Sequence, residues 1–259
     1  MTENVIEIEG LEMHFGGVKA LRGVDMQIPR GKVTAIIGDN GAGKSTLIKC
    51  LSGIYQPTHG QILINGKPVE ITSPISARHH GIETVYQDLA VLDTLTVAEN
   101  LYLSREIQKG FWPFRLLNRK KMLVGAAEMM ERVGNTTIRL NNEIGYMSGG
   151  QRQAVAISRA VGWGAQVIIF DEPTAALGVK ESAEVAHLIE RLKSQGITVI
   201  IISHNLRQVF DLVDRIWVFR QGRIICSRLT RETSPEEIVG LITGAIDPAS
   251  LKSEEAVAC

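Results

Sequence analysis

The chain has no surplus of either charge: 28 lysines and arginines are matched by 28 aspartates and glutamates. No global pull toward a polyanion such as nucleic acid follows from that balance. No apolar run approaches the roughly 18–20 residues that span a bilayer. The longest, residues 197–203, is strand-length. Cysteine is scarce and unpaired, since Cys50, Cys226 and Cys259 are odd in number, widely spaced and without metal-ligand spacing. They read as reduced thiols with no role. The opening Met1-Thr2-Glu3-Asn4 is polar and acidic, unlike a secretory leader. No internal repeat is visible. The expectation is a soluble cytosolic protein whose 259 residues bury one large core, or one core with an appended subdomain.

What the chain does have is a G-x-x-x-x-G-K-[ST] loop, Gly38-Asp39-Asn40-Gly41-Ala42-Gly43-Lys44-Ser45-Thr46. It follows the run Val33-Thr34-Ala35-Ile36-Ile37, which has the β-branched character and length of a buried parallel strand. It leads into Leu47-Ile48-Lys49-Cys50-Leu51 at helical spacing. Strand, glycine loop and helix start together turn a short pattern into a mechanism. Inward-pointing N–H groups and the positive end of the helix dipole attract phosphate oxygens. In that setting Lys44 reaches the β- and γ-phosphates, and the Ser45 hydroxyl takes Mg²⁺. A second motif supports the first: Val167-Ile168-Ile169-Phe170 is an apolar strand ending in Asp171-Glu172. A carboxylate at a parallel strand's C-terminal end lies beside the loop, where Asp171 can hold Mg²⁺ through water. Glu172, one residue on, is placed to polarise a water attacking the γ-phosphate.

Around these motifs the layout is an α/β core interrupted by a helical insert. Residues 5–9 and 24–28 alternate as β structure, and residues 61–67 read as a strand entering an Asn65-Gly66 turn. From about residue 88 the pattern turns helical, with a short helix at 96–101 and a longer one capped by Asn118 through Val133. Met122, Ala126, Met130 and Val133 form one stripe, read as core filler. Helical character persists at 151–161. Beyond Gly164 the alternation returns, with strands at 166–170 and 197–203 and helices at 180–195 and 205–212. A hairpin at 215–219 and 223–226, turned at Gln221-Gly222, precedes a last helix begun by Ser234-Pro235. The expected division has 1–87 with 164–244 as an α/β core carrying an N-terminal antiparallel β subdomain. Residues 88–163 form an inserted α-helical subdomain, and 245–259 a loose tail.

A third motif decides the family. Met147-Ser148-Gly149-Gly150-Gln151-Arg152-Gln153 stands about twenty residues before Asp171 and opens a helix. With Gln87 upstream and His204 after the 197–203 strand, the chain resembles the nucleotide-binding subunit of ABC (ATP-binding cassette) transporters from about residue 5 to 243. The resemblance implies a P-loop NTPase core, ATP and Mg²⁺ as ligands, and ATP hydrolysis. It implies a homodimer in which two copies sandwich two ATP molecules. Ser148, Gly149 and Gly150 of one copy, with Gln151 of the same motif, then meet the γ-phosphate held by the other. It implies that Phe15 stacks on adenine, that Gln87 senses Mg²⁺ and the attacking water, and that His204 contacts the γ-phosphate and holds the water in line.

The finer resemblance is to bacterial monosaccharide importers of the ribose/xylose/fructose type. It is carried by residues 14–21, 38–46 and 81–89, and by Glu172-Pro173-Thr174-Ala175-Ala176-Leu177-Gly178-Val179-Lys180-Glu181-Ser182, which is most similar to the fructose branch. It implies integral membrane permease subunits, a periplasmic sugar-binding protein as an indirect partner, and a peripheral place on the cytoplasmic face of the inner membrane. Alternatives are a cassette ATPase for another solute, or a soluble one in nucleic-acid repair or translation. The chain has neither the long coiled coils of repair cassettes nor the paired domains of translation cassettes, and its balanced charge supplies no phosphate-backbone attraction. Residues 105–121 carry six basic side chains against Glu106, with Phe111-Trp112-Pro113-Phe114 among them. They read as a solvated loop with an aromatic plug, or as a contact with the permease or lipid headgroups.

Two positions depart from the family pattern. Met147 replaces the signature's usual leucine, a conservative apolar change. Gly178 stands where the family commonly has aspartate, which normally helps communication across the dimer. Retained ATPase activity with altered coupling between the two sites is expected. Gly178→Asp should therefore change ATPase rate or transport, measured side by side; unchanged values for both would remove the idea.

Overall fold

The computed structural model describes residues 3–86, 88–110, 115–175 and 177–250. Its elements follow from local sequence. β1 (Asn4–Phe15) and β2 (Val18–Pro29) pair antiparallel about the Gly16-Gly17 turn. Both are far longer than the two short alternations at 5–9 and 24–28, because register shifts absorb the breaks in period. β3 (Val33–Gly38) is buried from Val33 to Ile37 and apolar there except at Thr34, as suits a strand covered on both faces. α1 (Lys44–Leu51), β4 (His59–Ile64) and β5 (Lys67–Val69) follow, the last two turned at Asn65-Gly66. α2 (Pro74–His79) starts on Ser73, whose hydroxyl accepts from Ser76 N, and β6 (Ile82–Val85) follows it.

Then come α3 (Val97–Leu101), the two-residue strands β7 (Gln108–Lys109) and β8 (Leu116–Leu117), α4 (Arg119–Arg132) and α5 (Gly149–Gly162). β9 (Val167–Asp171), α6 (Val179–Ser194), β10 (Thr198–Ile202) and α7 (Leu206–Leu212) restore the alternation. β11 (Arg215–Arg220), β12 (Arg223–Leu229) and α8 (Pro235–Thr243) complete it, α8 stopping at left-handed Gly244. A short 3₁₀ turn, Pro248–Ser250, lies in the expected loose tail, and residues 251–259 fall outside the described residues.

Two compact units result. The first comprises the described residues up to Thr84, Gln166–Pro173 and those from Leu192. Its antiparallel sheet has the order β2-β1-β4-β5, and the larger sheet has β12-β11-β3-β10-β9-β6. β3 runs parallel to both β10 and β11, at the sheet's centre. Ile6, Ile8 and Met26 share one apolar cluster with Ile36, Leu47 and Trp217. Cys50 belongs to that cluster, and burial pushes its thiol up to about 11, which keeps it inert.

The second unit comprises Val85–Ala165 and Thr174–Arg191. Met122, Ala126, Met129 and Met130 of α4 pack with Val97, Leu101, Ile144 and Val155, so the methionine stripe is core filler. The sequence division assigned all of 164–244 to the α/β core, whereas residues 174–191 cluster with the helices. The reason is packing at α5: Leu177 lies against Gly149, Glu181 and Glu184 against Gly150, and Leu188 against the methionine core. Within this unit Arg105 lies over the Trp163 ring at 4.6 Å, and Arg119 pairs with Glu99 at 3.7 Å. Leu116 and Leu117 are exposed, while residues 111–114, on which the expectation of an aromatic plug falls, lie outside the described residues.

One turn fixes how α1 ends. Gly53 has φ +73°, and a Cβ there would lie 2.4 Å from the Ser73 carbonyl oxygen. Gly53→Ala should cost roughly 1–3 kcal/mol. A lower denaturant midpoint at unchanged slope checks it, and an unchanged midpoint would refute the packing account.

Candidate active site

The loop between β3 and α1 is shaped by positive φ at Gly38, Gly41 and Gly43. A Cβ on Gly38 would lie 2.2 Å from the Phe219 carbonyl oxygen, and one on Gly43 2.8 Å from that of Ala20. The glycines are there because neighbouring backbone leaves no room. Ala42 N donates to Asp39 O at 3.1 Å, and Gly222 N donates to Ala42 O at 2.8 Å, so the β11–β12 turn pins the loop. Asp39, Asn40, Gly41 and Ser45 are exposed, Thr46 is half-buried and Ala42 is buried. α1 begins at Gly43 with no side-chain cap. The first-turn N–H groups keep their capacity for an anion.

Lys44 is buried, and its ammonium donates to Gly38 O at 2.7 Å and Asp39 O at 2.9 Å. Burial pulls its pKa below the usual lysine value, against the opposing pull of Glu172, Asp39 and Asp171. Parallel pairing sets Asp171 level with Ile202 of β10, which is itself level with Ile36 of β3. That register carries the carboxylate to the loop's end of the sheet. Burial, then the neighbouring Glu172 charge, hold the Asp171 carboxyl above its ordinary range, and Lys49 and Lys44 oppose them.

Glu172 sits just past β9 in left-handed backbone, φ 54°, a conformation held by its N–H donating to Ile202 O at 2.9 Å. The turn brings its carboxylate to His204, whose Nδ1 lies 2.8 Å from Oε1 and 2.7 Å from Oε2. The His204 side chain is 71% exposed and the Glu172 side chain 21%. The family resemblance implies a γ-phosphate contact for His204; the structure adds a direct bond to the candidate base, the geometry of a base and its orienting partner.

Phe15 ends β1 with 43% of its surface exposed. It meets Tyr55 edge to face, ring centroids 5.1 Å apart at 72°. Sequence reasoning passed over Tyr55, because no motif marks it; its role arises where β1 meets the turn after α1.

The signature residues lie in the second unit. Ser148 caps α5, its Oγ accepting from Gln151 N at 3.3 Å while Gln151 Oε1 accepts from Ser148 N at 3.2 Å. Arg152 braces the approach through Met147 O at 3.2 Å, Gly145 O at 3.0 Å and Asp93 at 3.1 Å. Gly149 and Gly150 are glycines for space, with a Cβ 2.6 Å from Leu177 in the first case and 3.1 Å from Glu184 in the second. At Gly178 a Cβ would stand 2.7 Å from Glu181 Oε2, so an aspartate there meets a like charge. Gln87 lies outside the described residues.

The donor set suits Mg²⁺. No group of three or more His, Cys, Asp or Glu side chains gathers for a metal among the described residues. One carboxylate and one hydroxyl, Asp171 and Ser45, suit an ion that keeps waters and takes its remaining oxygens from phosphates. An ionised Asp171 is therefore costly to the fold. Its folded pKa is raised, so the folded chain binds the extra proton, and stability falls as pH rises from the ordinary carboxylate value through the folded one. Asp171→Asn should melt higher at pH 7 without nucleotide, the gain vanishing in acid, and should lose Mg²⁺-dependent hydrolysis. Melting curves across pH check it; a lower melting point at pH 7 would contradict the burial argument.

A family model described as ABC transporter matches residues 21–175. The chain is similar to the fructose import ATP-binding protein FrcA of Rhizobium meliloti, with 43% identity over 95% of this chain and 96% of that one. It is similar to the xylose/arabinose import ATP-binding protein XylG of Sulfolobus acidocaldarius, with 44% identity over 93% of this chain and 94% of that one. Among solved structures it is similar to an ATP-binding cassette of an ABC transporter in its ADP conformation. That match has 30% identity and TM-score 0.77, over 93% of this chain and 96% of that one. The chain belongs to the ABC transporter family, as one of its ATP-hydrolysing cassettes.

Proposed function

We propose that the chain is the ATPase engine of a bacterial monosaccharide importer, working as a homodimer beneath separate permease subunits. The observation that carries the chemistry is the Glu172 carboxylate, held by His204 at 2.7–2.8 Å one residue beyond Asp171. The loop at 38–46 binds the phosphates of ATP, and Lys44 exchanges two backbone carbonyls for β- and γ-phosphate oxygens. Ser45 and Asp171, with Gln87, would hold Mg²⁺, which neutralises phosphate charge when bound. Glu172 takes a proton from the attacking water, and His204 keeps that carboxylate and the water in line.

The second half of each site comes from the other copy. Ser148 Oγ accepts from Gln151 N, which leaves its O–H to donate to the γ-phosphate. The Gly149 and Gly150 N–H groups stand at the positive end of a 14-residue helix. ATP thus closes the dimer and hydrolysis reopens it, the motion passing through Gln87 and the helical unit to the permease.

The transported class is supported by the fructose and xylose/arabinose import relatives, with fructose the first candidate. A periplasmic sugar-binding protein would deliver the sugar. No helix among the described residues is long and apolar enough to cross a membrane. In this reading the chain attaches to the cytoplasmic face by docking on the permease. The cation-rich 105–121 segment is a candidate for that contact.

Glu172→Gln should bind ATP, hydrolyse it at least about 100-fold more slowly and accumulate as a dimer. Lys44→Ala should lose ATP binding. Wild-type hydrolysis by Glu172→Gln would remove the base assignment. A tagged chain purified from membranes should bring an integral membrane subunit with it; purification without one would remove the permease partner.

A further inference from the structure

α1 leads from the phosphate loop to a turn that brings Tyr55 against Phe15. Past Gly53, the N–H groups of Ile54 and Tyr55 both donate to Lys49 O, at 2.8 and 3.0 Å. The turn is therefore tied to the last stretch of the helix that starts at Lys44. Tyr55 packs, half-buried, against the core cluster. The Lys49 ammonium lies 5.3 Å from its ring centroid. A cation over an aromatic face holds that ring by attraction to its quadrupole. Tyr55 in turn meets Phe15 edge to face at 5.1 Å and 72°. That arrangement has an angular preference that two aliphatic side chains would lack.

Phe15 needs such a brace. It ends its strand with 43% of its surface in water, and its cross-strand partner Val18 is itself exposed. An exposed ring with free χ angles spends rotamer entropy each time a base stacks on it. A ring already fixed edge-on by a half-buried neighbour spends less. We propose that Tyr55 is the positioning residue for base recognition: it sets the Phe15 ring in the orientation that stacks on the nucleotide's base. The proposal rests on the reading that Phe15 is the stacking platform. The helix whose first turn faces the phosphates thus also fixes, past its last turn, the group that orders the base.

Calorimetric affinities of the full chain for ATP and for inorganic tripolyphosphate, which has no base, separate this role from a structural one. Phe15→Ala should weaken ATP about tenfold and leave tripolyphosphate unchanged. Tyr55→Leu should weaken ATP about threefold to tenfold, again with tripolyphosphate unchanged. In the Phe15→Ala background Tyr55→Leu should add nothing, and Tyr55→Phe, which keeps the ring, should bind ATP as the wild type does. Equal loss of both ligands in Tyr55→Leu, by misfolding or otherwise, would overturn the proposal. So would full additivity with Phe15→Ala, or a loss in Tyr55→Phe as deep as in Tyr55→Leu. If Phe15→Ala alone leaves ATP affinity unchanged, the stacking reading fails first and takes the proposal with it.

Discussion

The close approach of the 38–43 backbone to Phe219 and Ala20 is the constraint on which the rest depends. No residue with a Cβ can stand at Gly38 or Gly43, so the loop rests on the neighbouring strands by its main chain. That contact aims the first-turn N–H groups of α1 outward and turns Lys44 back over its own loop. Because β3 lies between β10 and β11, the same contact fixes the loop relative to Asp171, Glu172 and His204. Sheet register, more than any single side chain, assembles the chemistry.

The assembled groups are electrostatically costly. A buried lysine, a carboxylate raised by burial and a strained glutamate lie together at one end of the parallel strands. Such groups persist where the surrounding structure over-determines them, and they cluster where function needs them. Here the compensation is partial: Lys44 is satisfied by carbonyls, Glu172 by His204. In the proposed reading a bound triphosphate would add its charge to the pull that Glu172, Asp39 and Asp171 already exert on Lys44.

Much of this was legible in the sequence. The phosphate loop, the acidic strand end and the signature each carry their own local spacing, so period and motif locate them and the α/β class follows. The helix start at the signature is read from the motif, but the Ser148–Gln151 capping box is not, although its partners lie only three residues apart. What else was not legible depends on separation along the chain. Tyr55 meets Phe15 across 40 positions, and Glu172 finds His204 across 32, with no pattern in either segment announcing the distance. The extent of the β1–β2 hairpin was hidden by breaks in its alternation. The membership of residues 174–191 was hidden because α6 reads as an ordinary crossover helix, although its glutamates and Leu177 pack on the start of α5.

In the proposed reading the loop holds a nucleotide while lacking half of what acts on it. The central claim is that each catalytic site is composite, a phosphate loop from one copy and a signature from the other. Mixing Lys44→Ala chains with Ser148→Arg chains tests it most directly, with steady-state ATPase as the readout. Each variant alone should be inactive, and the mixture should regain activity, because the mixed dimer rebuilds one intact site. Full activity of Ser148→Arg alone, or no recovery on mixing, would contradict the account.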